Sequence, residues 1–297
     1  MARAVSRARE GNGIGAATRK VSSRRLPRPA VATTRGAVYR RDCLNLLSLL
    51  RDASVDCVFA DPPFNLGKEY GSRRARDDRQ SEEYLEWCQR WLSESCRILR
   101  PGGALFVYSL PKWAFHLAAF LDNHLTFRHW IALTMKSTYP RGQRLYPAHY
   151  ALLYFTRGEP KTFHRLRTPI LACRHCGGDI RDYGGHRNAL HPEGISLTDF
   201  WDDTSPNRHR NSKARPGINE LKTGIPERCI RLSTDPGDVV LDPFGGGGST
   251  FEAAQASDRY WIGSEIGNCR PVRDRISDRF PSDIRSEAPP RIRRIFA

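Results

Sequence analysis

Long uninterrupted apolar segments are missing from this sequence. No apolar run approaches the roughly 20 residues that a membrane-spanning helix requires, so the sequence predicts a protein without a membrane partner. Acidic residues are also few, because 32 Asp and Glu stand against 48 Lys and Arg, which gives a formal net charge of +16. A surplus of this size favours a polyanionic partner, most often nucleic acid. A generally arginine-rich composition with basic tails is the alternative explanation.

An apolar signal segment is likewise missing ahead of the eight cysteines, which are scattered through the chain. Reduced thiols in a cytoplasm are therefore expected rather than a disulfide framework. Cys173 and Cys176 are separated by two residues and followed by two glycines, a pattern typical of half a zinc knuckle. The candidate partners for a second half are three histidines at imperfect spacing, His164, His186 and His191. A structural zinc ion and two reduced surface cysteines both remain open.

The pattern of the 297 residues divides the chain into five segments. Residues 1–36, rich in Arg, Ala and Ser, predict a disordered basic arm, although an organellar transit peptide or a leader sequence would have a similar composition. Strands alternate with helices over residues 37–156 and 219–280, which predicts an α/β fold with a mostly parallel central sheet and helices on both faces. The segment 157–218 is dense in Arg, His, Gly and Pro, so we expect an inserted recognition region there. Residues 281–297 predict a frayed basic tail.

Apolar periodicity predicts where the main elements lie. The predicted strands cover residues 55–60, 104–108, 127–134, 150–155, 239–241 and 260–263. The predicted helices are one that begins at Ser81 and is stopped by Pro101–Gly103, one over 111–122, one over 225–232 and one that begins at Ser249. These boundaries place two unusual segments directly after buried strands.

A glycine turn between a strand and a helix forms the first candidate site. Gly245–Gly248 follow the strand at 239–241 and precede the helix at Ser249. Such a turn places backbone N–H groups and the positive end of a helix dipole at one point. Glu265, about twenty residues further on, ends the next strand, where an acid can accept hydrogen bonds from ribose hydroxyls. We therefore predict a nucleoside-cofactor site. A P-loop is excluded because Gly248 stands where that loop requires lysine, and a tight turn without a ligand is the structural alternative.

A rigid acidic and aromatic segment forms the second candidate site. Asp61, Pro62, Pro63 and Phe64 directly follow the strand at 55–60, which two consecutive prolines end because neither can donate to the ladder. The Asp61 carboxylate and a carbonyl of the proline backbone can both accept hydrogen bonds from one amino group, and Phe64 offers a face on which an extruded base can stack. A strand-ending turn without a function is the alternative. Open parallel sheets bind ligands at the carboxyl ends of their strands, so we expect the two sites to act together.

Both motifs, Asp61–Phe64 early and Phe244–Gly248 late, resemble those of the amino-methylating DNA methyltransferases that use S-adenosylmethionine. The order is that of their beta group, and the resemblance covers residues 37–160 and 216–268. It implies a Rossmann-like methyltransferase fold with permuted motif order, S-adenosylmethionine as the cofactor, and double-stranded DNA as the substrate. It further implies a cytoplasmic protein of bacterial or phage-like type that is a monomer or a homodimer. A restriction endonuclease is a possible partner.

The resemblance implies that Asp61–Phe64, here called the DPPF segment, binds the target base. In the family this motif holds the base and accepts hydrogen bonds from its amino group, which implies this role for Asp61, Pro62, Pro63 and Phe64, with phenylalanine in place of the commoner tyrosine. The implied reaction is a direct displacement by the amino nitrogen on the sulfonium methyl, in which positioning carries most of the catalysis. Asp61 favours N6 of adenine, because members with serine there mostly act on N4 of cytosine. N4-cytosine stays as the alternative.

For the cofactor, the resemblance implies a larger set of residues. These are Asp42, Asp61, Lys222, Asp242, Phe244, Gly245, Gly247, Thr250 and Glu265. In the family's pattern, Asp42 corresponds to the acid near the cofactor adenine, and Glu265 corresponds to the acid that binds the ribose. Lys222 and Pro226 resemble, loosely, the element that lines the methionine end of the cofactor.

Other functions explain fewer of these features. A C5-cytosine methyltransferase needs a cysteine nucleophile, normally after a proline, and the sequence has no Pro-Cys pair. A catalytically idle DNA-binding module with the same fold would share the positive charge, but it would not need the acids at Asp61, Asp242 and Glu265. A nicotinamide-dependent oxidoreductase would explain the glycine turn and leave the DPPF segment without a role.

The insert supplies the residues that we expect to contact DNA. Seven arginines there suit phosphate and guanine contacts: Arg165, Arg167, Arg174, Arg181, Arg187, Arg208 and Arg210. For each of them, a solvated loop is the alternative. Trp201, Asp202 and Asp203 lead back toward the cofactor half and have no role that the sequence assigns.

Overall fold

A ten-stranded sheet forms the centre of the computed structural model, which describes residues 27–67, 77–135, 143, 145, 148–170, 173, 175–178, 189–204 and 221–297. The strands of this sheet are β1 Val31–Thr33, β2 Gly36–Arg40, β3 Val55–Ala60, β4 Leu99–Ser109, β5 Thr126–Thr134, β6 His149–Thr156, β9 Phe200–Trp201, β10 Val239–Asp242, β11 Tyr260–Glu265 and β12 Ile284–Arg285. A separate antiparallel pair consists of β7 Arg167–Thr168 and β8 Ile195–Ser196. The helices are α1 Cys43–Leu47, α2 Ser81–Ile98, α3 Pro111–Leu121, α4 Gly224–Ser233, α5 Ser249–Ala256, α6 Arg270–Arg279 and α7 Pro290–Arg293.

Parallel strands occupy the centre of the sheet and antiparallel strands its two sides. The order is β12-β1-β2-β11-β10-β3-β4-β6-β5-β9. The central strands β2, β11, β10, β3 and β4 are parallel. In contrast, β1 is antiparallel to both of its neighbours on one side, and β6 is antiparallel to both of its neighbours on the other. The predicted α/β fold with a mostly parallel centre is confirmed.

Two apolar cores cover the two faces of the sheet. Helices α1, α2, α3 and α7 pack on one face, and α4, α5 and α6 pack on the other, so helices cover both faces as predicted. All six residues of β3 are buried, as expected for a strand that is covered on both sides. In α2 the buried side chains Tyr84, Cys88, Trp91, Leu92 and Ser95 recur at helical spacing. None of the helices in the described ranges has the length and apolarity that crossing a membrane would need.

The strand order creates a crevice between β10 and β3 at the carboxyl edge of the sheet. From β10 the chain continues through α5 to β11 on one side, and from β3 it continues through α2 to β4 on the other. Adjacent parallel strands whose connections leave in opposite directions have a gap between their loops, and open α/β sheets bind ligands there. The segments that follow these two strands are the glycine turn and Asp61–Phe64, so both predicted sites flank the crevice.

Phe251 on α5 fills the space that two glycines leave on the sheet. A Cβ atom added at Gly263 in β11 would lie 2.3 Å from the Phe251 ring and 2.5 Å from the Asp242 carbonyl oxygen. A Cβ atom added at Gly245 would lie 2.7 Å from the same ring. The Phe251 ring also stacks on Trp261, with 4.9 Å between the ring centroids. The close approach of α5 to the sheet therefore requires glycine at both positions.

Replacing Gly263 with alanine is expected to lower the free energy of unfolding by about 3 kcal/mol, because the new methyl group meets a packed ring and a backbone carbonyl that cannot move away. Gly224→Ala is the matched control. Gly224 lies in α4 with no heavy atom within 4 Å of an added Cβ, so alanine there should raise the free energy of unfolding by up to about 1 kcal/mol. Urea unfolding of both variants measures the difference. Equal effects at the two sites would contradict the packing argument.

The beginning of the chain corrects the predicted basic arm of residues 1–36. Val31–Thr33 form β1, which pairs with β2 and β12 inside the large sheet. All three residues of this strand are buried. Their apolar and β-branched side chains favour a strand once a neighbouring edge is available. Residues 1–26 of the predicted arm lie outside the described residues.

The end of the chain is docked on the sheet, which corrects the predicted frayed tail of residues 281–297. Ile292, Ile295 and Phe296 are buried, and the Phe296 ring lies 5.4 Å from the ring of Tyr39 in β2. In addition, the Ala297 N–H donates a hydrogen bond to the Leu49 carbonyl at 2.7 Å. The apolar residues between the arginines cover part of the core, so burial outweighs the entropy of a free end.

The junction of α2 and β4 differs from the prediction that Pro101–Gly103 stops the helix and precedes the strand. The helix ends at Ile98, and β4 already begins at Leu99. The Gly102 N–H donates to the Arg157 carbonyl (2.7 Å), and the Arg157 N–H donates to the Gly103 carbonyl (3.0 Å). This pairing with the segment after β6 extends the strand through the Pro-Gly-Gly sequence.

The predicted insert, residues 157–218, is partly built into the main fold. In β9, Phe200 and Trp201 add a short parallel strand beside β5, and Trp201 is buried in one of the two cores. The Arg228 guanidinium of α4 lies 4.7 Å from the centroid of the Trp201 ring and forms a salt bridge with Asp203 at 2.6 Å. Trp201 and Asp203, which the sequence left without a role, therefore fasten the insert to α4.

Candidate active site

Four acidic residues lie in a row at the carboxyl edge of the parallel strands. In sheet order, Asp42 follows β2, Glu265 ends β11, Asp242 ends β10 and Asp61 follows β3. Neighbouring strands are about 4.8 Å apart, so the row extends across about 14 Å. Residues that are far apart in the sequence thus line one continuous edge on both sides of the crevice.

The glycine turn between β10 and α5 is tight and partly open. The Gly245 N–H donates to the Ser264 carbonyl (2.8 Å), and the Gly248 N–H donates to the Gly245 carbonyl (2.7 Å). Gly246 and Gly248 have positive φ angles of 46° and 82°, which favour glycine. An added Cβ at Gly246 would meet no heavy atom closer than 3.7 Å, whereas Phe251 fills the space at Gly245. A ligand can therefore approach the backbone at Gly246, and Gly245 serves the packing of α5.

Glu265 links the end of β11 to the glycine turn. One carboxylate oxygen accepts a hydrogen bond from the Gly246 N–H at 2.8 Å, and the other accepts from the Gly267 N–H at 2.6 Å. Burial raises the pKa of this carboxyl group, although both amides act to lower it. Each carboxylate oxygen can accept more than one hydrogen bond, so the group can also receive two neighbouring hydroxyl donors from a ligand at Gly246.

Asp242 lies beneath the turn. It is buried and accepts a hydrogen bond from the Phe244 N–H at 2.8 Å, and the neighbouring Thr250 side chain acts to lower its pKa. Burial raises the pKa of Asp242 from 3.8 to about 7, with a smaller contribution from the charge of Glu265. Thr250 is also buried. In this structure Asp242 and Thr250 shape the turn from below.

Replacing Asp242 with asparagine is expected to make the protein more stable at pH 8 and to change little at pH 4. The unfolded chain loses the Asp242 proton near pH 4, whereas the folded chain keeps it until about pH 7, so stability falls as the pH rises between these values. Asparagine keeps the shape and cannot ionise, which should add on the order of 3 kcal/mol at pH 8. Urea unfolding at the two pH values checks this, and a gain of equal size at pH 4 would rule out ionisation as the cause.

Phe244 connects the two halves of the crevice. It follows β10, and its ring lies 5.1 Å from the Trp91 ring and 5.7 Å from the Trp87 ring of α2, the helix that follows β3. Phe244 is half-buried. Its predicted place in the cofactor motif thus coincides with a contact that holds the glycine turn against the other half of the domain.

Asp42 lies at the far end of the acidic row. Its side chain caps α1 by accepting a hydrogen bond from the Leu44 N–H at 2.9 Å, which stabilises the first turn of the helix. The neighbouring Arg41 N–H donates to the Glu265 carbonyl at 3.0 Å. Asp42 is half-buried, beside the end of β11, so it can meet a part of a ligand that extends beyond Glu265.

Lys222 lies immediately before α4, next to a polar network that reaches the glycine turn. The adjacent Thr223 hydroxyl donates to Glu252 at 3.0 Å, and Arg275 pairs with Glu252 at 2.5 Å. The Arg275 Nε donates to the Gly247 carbonyl at 2.6 Å. Burial acts to raise the pKa of Glu252, but hydrogen bonds from Arg275 and other donors hold it below its ordinary value. The half-buried Lys222 is thus one residue from the network that supports the turn.

The DPPF segment is held by side chains from two helices. The Tyr84 hydroxyl of α2 donates to the Pro63 carbonyl at 2.8 Å, and the Trp113 Nε1 of α3 donates to the Phe64 carbonyl at 2.8 Å. Pro62 is buried, while Asp61 and Phe64 are half-buried. The segment therefore presents Asp61 and the face of Phe64 from a backbone that is fixed behind them.

Two tyrosines surround Phe64. The Phe64 ring lies 5.6 Å from the Tyr108 ring and 6.1 Å from the Tyr150 ring. The Tyr108 hydroxyl is buried, and among the described residues it has no hydrogen-bond partner. Burial, with a smaller effect from the Asp61 carboxylate, raises the pKa of Tyr108 far above its ordinary value. The site therefore combines one carboxylate with neutral aromatic groups.

Several residues of this site were not among the sequence predictions. Tyr84, Trp113, Tyr108 and Tyr150 contact the DPPF segment, but in the sequence they stand within ordinary apolar patterns of helices and strands. The spacing of apolar residues identifies the buried face of a helix, whereas the target of a particular hydroxyl or indole N–H depends on how helices pack. No local signal separates them from core aromatics.

The cysteine pair forms a tight turn in the insert. The Cys173 N–H donates to the Gly178 carbonyl (2.6 Å), and the Gly177 N–H donates to the Cys173 carbonyl (2.9 Å). Hydrogen bonds from the backbone of Cys176 and His175 lower the pKa of the Cys173 thiol. No group of three or more side chains that could hold a metal ion occurs within the described ranges.

Two of the three histidines considered as zinc partners are described, and each has a hydrogen-bond partner of its own. His164 pairs with Asp235 at 2.8 Å, and His191 accepts from the Glu193 N–H at 3.2 Å. His186 lies outside the described residues. The zinc hypothesis at Cys173 and Cys176 stays untested.

Two of the seven predicted DNA-contacting arginines are described. Arg167 lies in β7 and donates to the Gly194 carbonyl at 3.0 Å. Arg165 precedes β7 and lines a cavity with Tyr154 and Trp201. The other five lie outside the described residues: Arg174, Arg181, Arg187, Arg208 and Arg210.

A family model for N6 and N4 methylases, described as DNA methylase, matches residues 55–270, which include both motifs and Glu265. The chain belongs to this DNA methylase family. The resemblance inferred from the two motifs is therefore confirmed.

Similar methylases include curated type II enzymes. The chain is 46% identical to the type II methyltransferase M.BamHI of Bacillus amyloliquefaciens over 253 residues, which are 85% of this chain and 59% of that protein. It is 28% identical over 231 residues to M.HpaI of Haemophilus parainfluenzae, covering 76% of this chain and 68% of that protein. The chain thus spans only part of the length of these relatives.

Solved methylases share the fold. The PvuII DNA methyltransferase, named as cytosine-N4-specific, superposes with a TM-score of 0.60 at 20% identity and covers 88% of this chain and 92% of its own. The complex of M1.HpyAVI with S-adenosylmethionine has a TM-score of 0.52 at 16% identity, over 81% of this chain and 98% of its own. Both share the fold of this chain.

S-adenosylmethionine is the cofactor that this family implies, and the residues at the edge of the sheet fit it. The backbone at Gly246 is open to a ligand, and the Glu265 carboxylate lies beside it. Asp42 stands one strand further along, and Asp61 stands on the opposite side of the crevice. Carboxylates along this edge are acceptors for the hydroxyl and amino groups of such a cofactor.

Proposed function

We propose that this protein transfers a methyl group from S-adenosylmethionine to the exocyclic amino group of a base extruded from double-stranded DNA, and that the base is adenine. The observation that carries the proposal is the position of Asp61 and Phe64 across the crevice from the Gly246–Glu265 pair. A carboxylate and an aromatic face lie beside a nucleoside-binding edge. This arrangement suits an aromatic amine as acceptor.

The cofactor's chemical contribution is an electrophilic methyl group on a sulfonium. The protein's part is to bind and orient. The Asp61 carboxylate and the Pro62 carbonyl accept the two N–H groups of the target amine, and Phe64 stacks on the base. Holding both N–H groups in this way directs the nitrogen lone pair toward the crevice. No strong base is required, because the amine can lose its extra proton after transfer.

The substrate assignment rests on charge and on the need for extrusion. The formal charge of +16 favours a DNA backbone as partner. A base that is stacked within a DNA duplex cannot reach the crevice between β10 and β3, so it must be extruded from the stack. We assign catalytic contacts to residues 37–156, sequence recognition to the insert 157–218 and cofactor binding to 219–280.

Cytosine is the second candidate for the base. Its N4 amine presents the same two N–H groups to Asp61 and Pro62, and the PvuII neighbour is named as cytosine-N4-specific. The family pattern with Asp at position 61 supports adenine instead. The names of the curated relatives support a role in bacterial restriction–modification, with the cytoplasm as its location and a restriction endonuclease of matching specificity as its counterpart.

The direct experiment is transfer of a labelled methyl group to unmethylated genomic DNA, followed by mass analysis of the nucleosides. N6-methyladenine is the expected product. Formation of N4-methylcytosine would support the proposed site and change the assigned base from adenine to cytosine. Binding of S-adenosylmethionine without transfer to any DNA would contradict the proposed activity and favour an idle DNA-binding module.

A further inference from the structure

Hydrogen bonds hold five backbone groups between Pro63 and Gly67, in the DPPF segment and the residues after it. Prolines 62 and 63 have no N–H. The carbonyls of Pro63 and Phe64 accept from Tyr84 and Trp113, both at 2.8 Å. Because these donors take the second and third carbonyls of Pro62–Phe64, they decide which acceptor is left for a ligand.

The residues that follow are held by the segment just before α2. The Asp77 carboxylate accepts from the Asn65 N–H at 2.6 Å and from the Leu66 N–H at 3.0 Å. The Asn65 side chain pairs with the backbone of Arg79 through two hydrogen bonds of 2.8 Å. The Gly67 N–H donates to the Asp77 carbonyl at 2.6 Å. These hydrogen bonds fix the backbone that directly follows Phe64.

Within Pro62–Phe64, the Pro62 carbonyl differs from the other two carbonyls. Among the hydrogen bonds between described residues, none ends on the Pro62 carbonyl. This carbonyl lies directly between Asp61, which lines the crevice, and Pro63, which Tyr84 holds. A shift of the Pro63–Phe64 backbone would therefore turn the Pro62 carbonyl as well, since the two prolines restrict rotation between them.

The two donors act as one unit. Tyr84 and Trp113 are buried, their ring centroids are 4.7 Å apart, and they come from α2 and α3. Burial raises the pKa of Tyr84 far above its ordinary range, so its hydroxyl stays protonated and donates at all working pH values. Their position is set by helix packing, so a ligand that enters the crevice meets acceptors that are already oriented.

We propose that Tyr84 and Trp113 are positioning residues that hold the Pro63 and Phe64 carbonyls, so that the Asp61 carboxylate and the Pro62 carbonyl form a fixed acceptor pair for the target amine. This inference rests on the proposed function. Neither residue touches the base. Each acts through the backbone of the DPPF segment.

The test uses Tyr84→Phe, which removes one hydroxyl and leaves a buried carbonyl without its donor. The single-turnover rate of methyl transfer at saturating DNA and cofactor should fall between about tenfold and a hundredfold, because small misplacements of reacting groups have effects of that size. The dissociation constants for S-adenosylmethionine and for DNA should stay unchanged. Trp113→Phe should show the same separation between rate and binding.

Tyr154→Phe is the matched control. The Tyr154 hydroxyl is also buried but has no hydrogen-bond partner among the described residues, and its ring stacks on Phe106, away from the DPPF segment. Its removal should leave the rate unchanged. A second measurement separates positioning from general damage: in the Asp61→Ala background, Tyr84→Phe should lose most of its effect, because the acceptor pair is already broken.

The outcomes are distinct. A wild-type rate in Tyr84→Phe would overturn the positioning role and leave the proposed function standing. A full, additive effect of Tyr84→Phe in the Asp61→Ala background would assign it to general destabilisation and also overturn the role. If the wild-type protein transfers no methyl group to DNA, the proposed function fails and this inference fails with it.

Discussion

Replacing Asp61 with alanine is expected to reduce the rate of methyl transfer by about a thousandfold while leaving cofactor affinity within a few-fold of wild type. Asp61 follows β3 at the crevice, and its carboxylate is the charged member of the proposed acceptor pair. Removing one oriented group that stabilises developing charge typically lowers the rate by 10²–10³-fold. Single-turnover kinetics with labelled S-adenosylmethionine measures the loss.

The control for this variant is Asp122→Ala. Asp122 is an exposed acid at the end of α3, and it belongs to neither motif. The Asp122→Ala variant should methylate DNA at the wild-type rate. A loss of similar size in both variants would point to folding rather than to the amine contact. A wild-type rate in Asp61→Ala would remove the DPPF segment from the mechanism.

Replacing Glu265 with alanine is expected to weaken S-adenosylmethionine binding by between a hundredfold and a thousandfold. The carboxylate accepts from the Gly246 and Gly267 amides and stands where ribose hydroxyls would donate. Hydrogen bonds to a charged group contribute about 1.5–3 kcal/mol each, so the loss of two accounts for the expected change. Isothermal titration calorimetry of the cofactor measures the dissociation constant directly.

Two comparisons sharpen the Glu265 result. Glu287→Ala removes an exposed acid in the docked tail and should bind the cofactor as the wild type does. Raising the cofactor concentration should restore most of the methyl-transfer rate in Glu265→Ala, because the base-holding residues across the crevice are intact. If saturating cofactor leaves the rate low, Glu265 affects the reaction itself and its assignment to binding alone is wrong.

The two variants together test the division of the crevice into two sides. Asp61→Ala should mainly lower the rate and change cofactor affinity at most a few-fold, although Asp61 is also in the predicted cofactor set, whereas Glu265→Ala should mainly weaken cofactor binding. Strand order is the reason for this expectation, because β10 and β11 carry one side and β3 carries the other. Identical profiles for the two variants would mean that the sides do not act separately.

The sequence alone determined the local elements and the chemistry of the two motifs. The strand predicted at residues 55–60 is β3, and the predicted strand at 127–134 and helix at 111–122 each match the structure to within one residue at either end. Apolar periodicity and turn residues act over a few positions, so they can be read without the fold. The DPPF segment, the glycine turn and Glu265 were likewise visible as residue types at strand ends.

The tertiary structure decided how these pieces meet. The sequence predicts that Asp61 and Glu265 lie at the carboxyl ends of strands, but only the sheet order shows that they flank one crevice. Phe251, rather than a ligand, fills the space at Gly245. The docked tail covers part of the core, and the sequence did not predict that this part needed a cover. The hydrogen bond from the Tyr84 hydroxyl to the DPPF backbone was likewise not predictable from the sequence. Each depends on packing between segments far apart in the chain, where shape and burial, and not the neighbouring residues, select the partner.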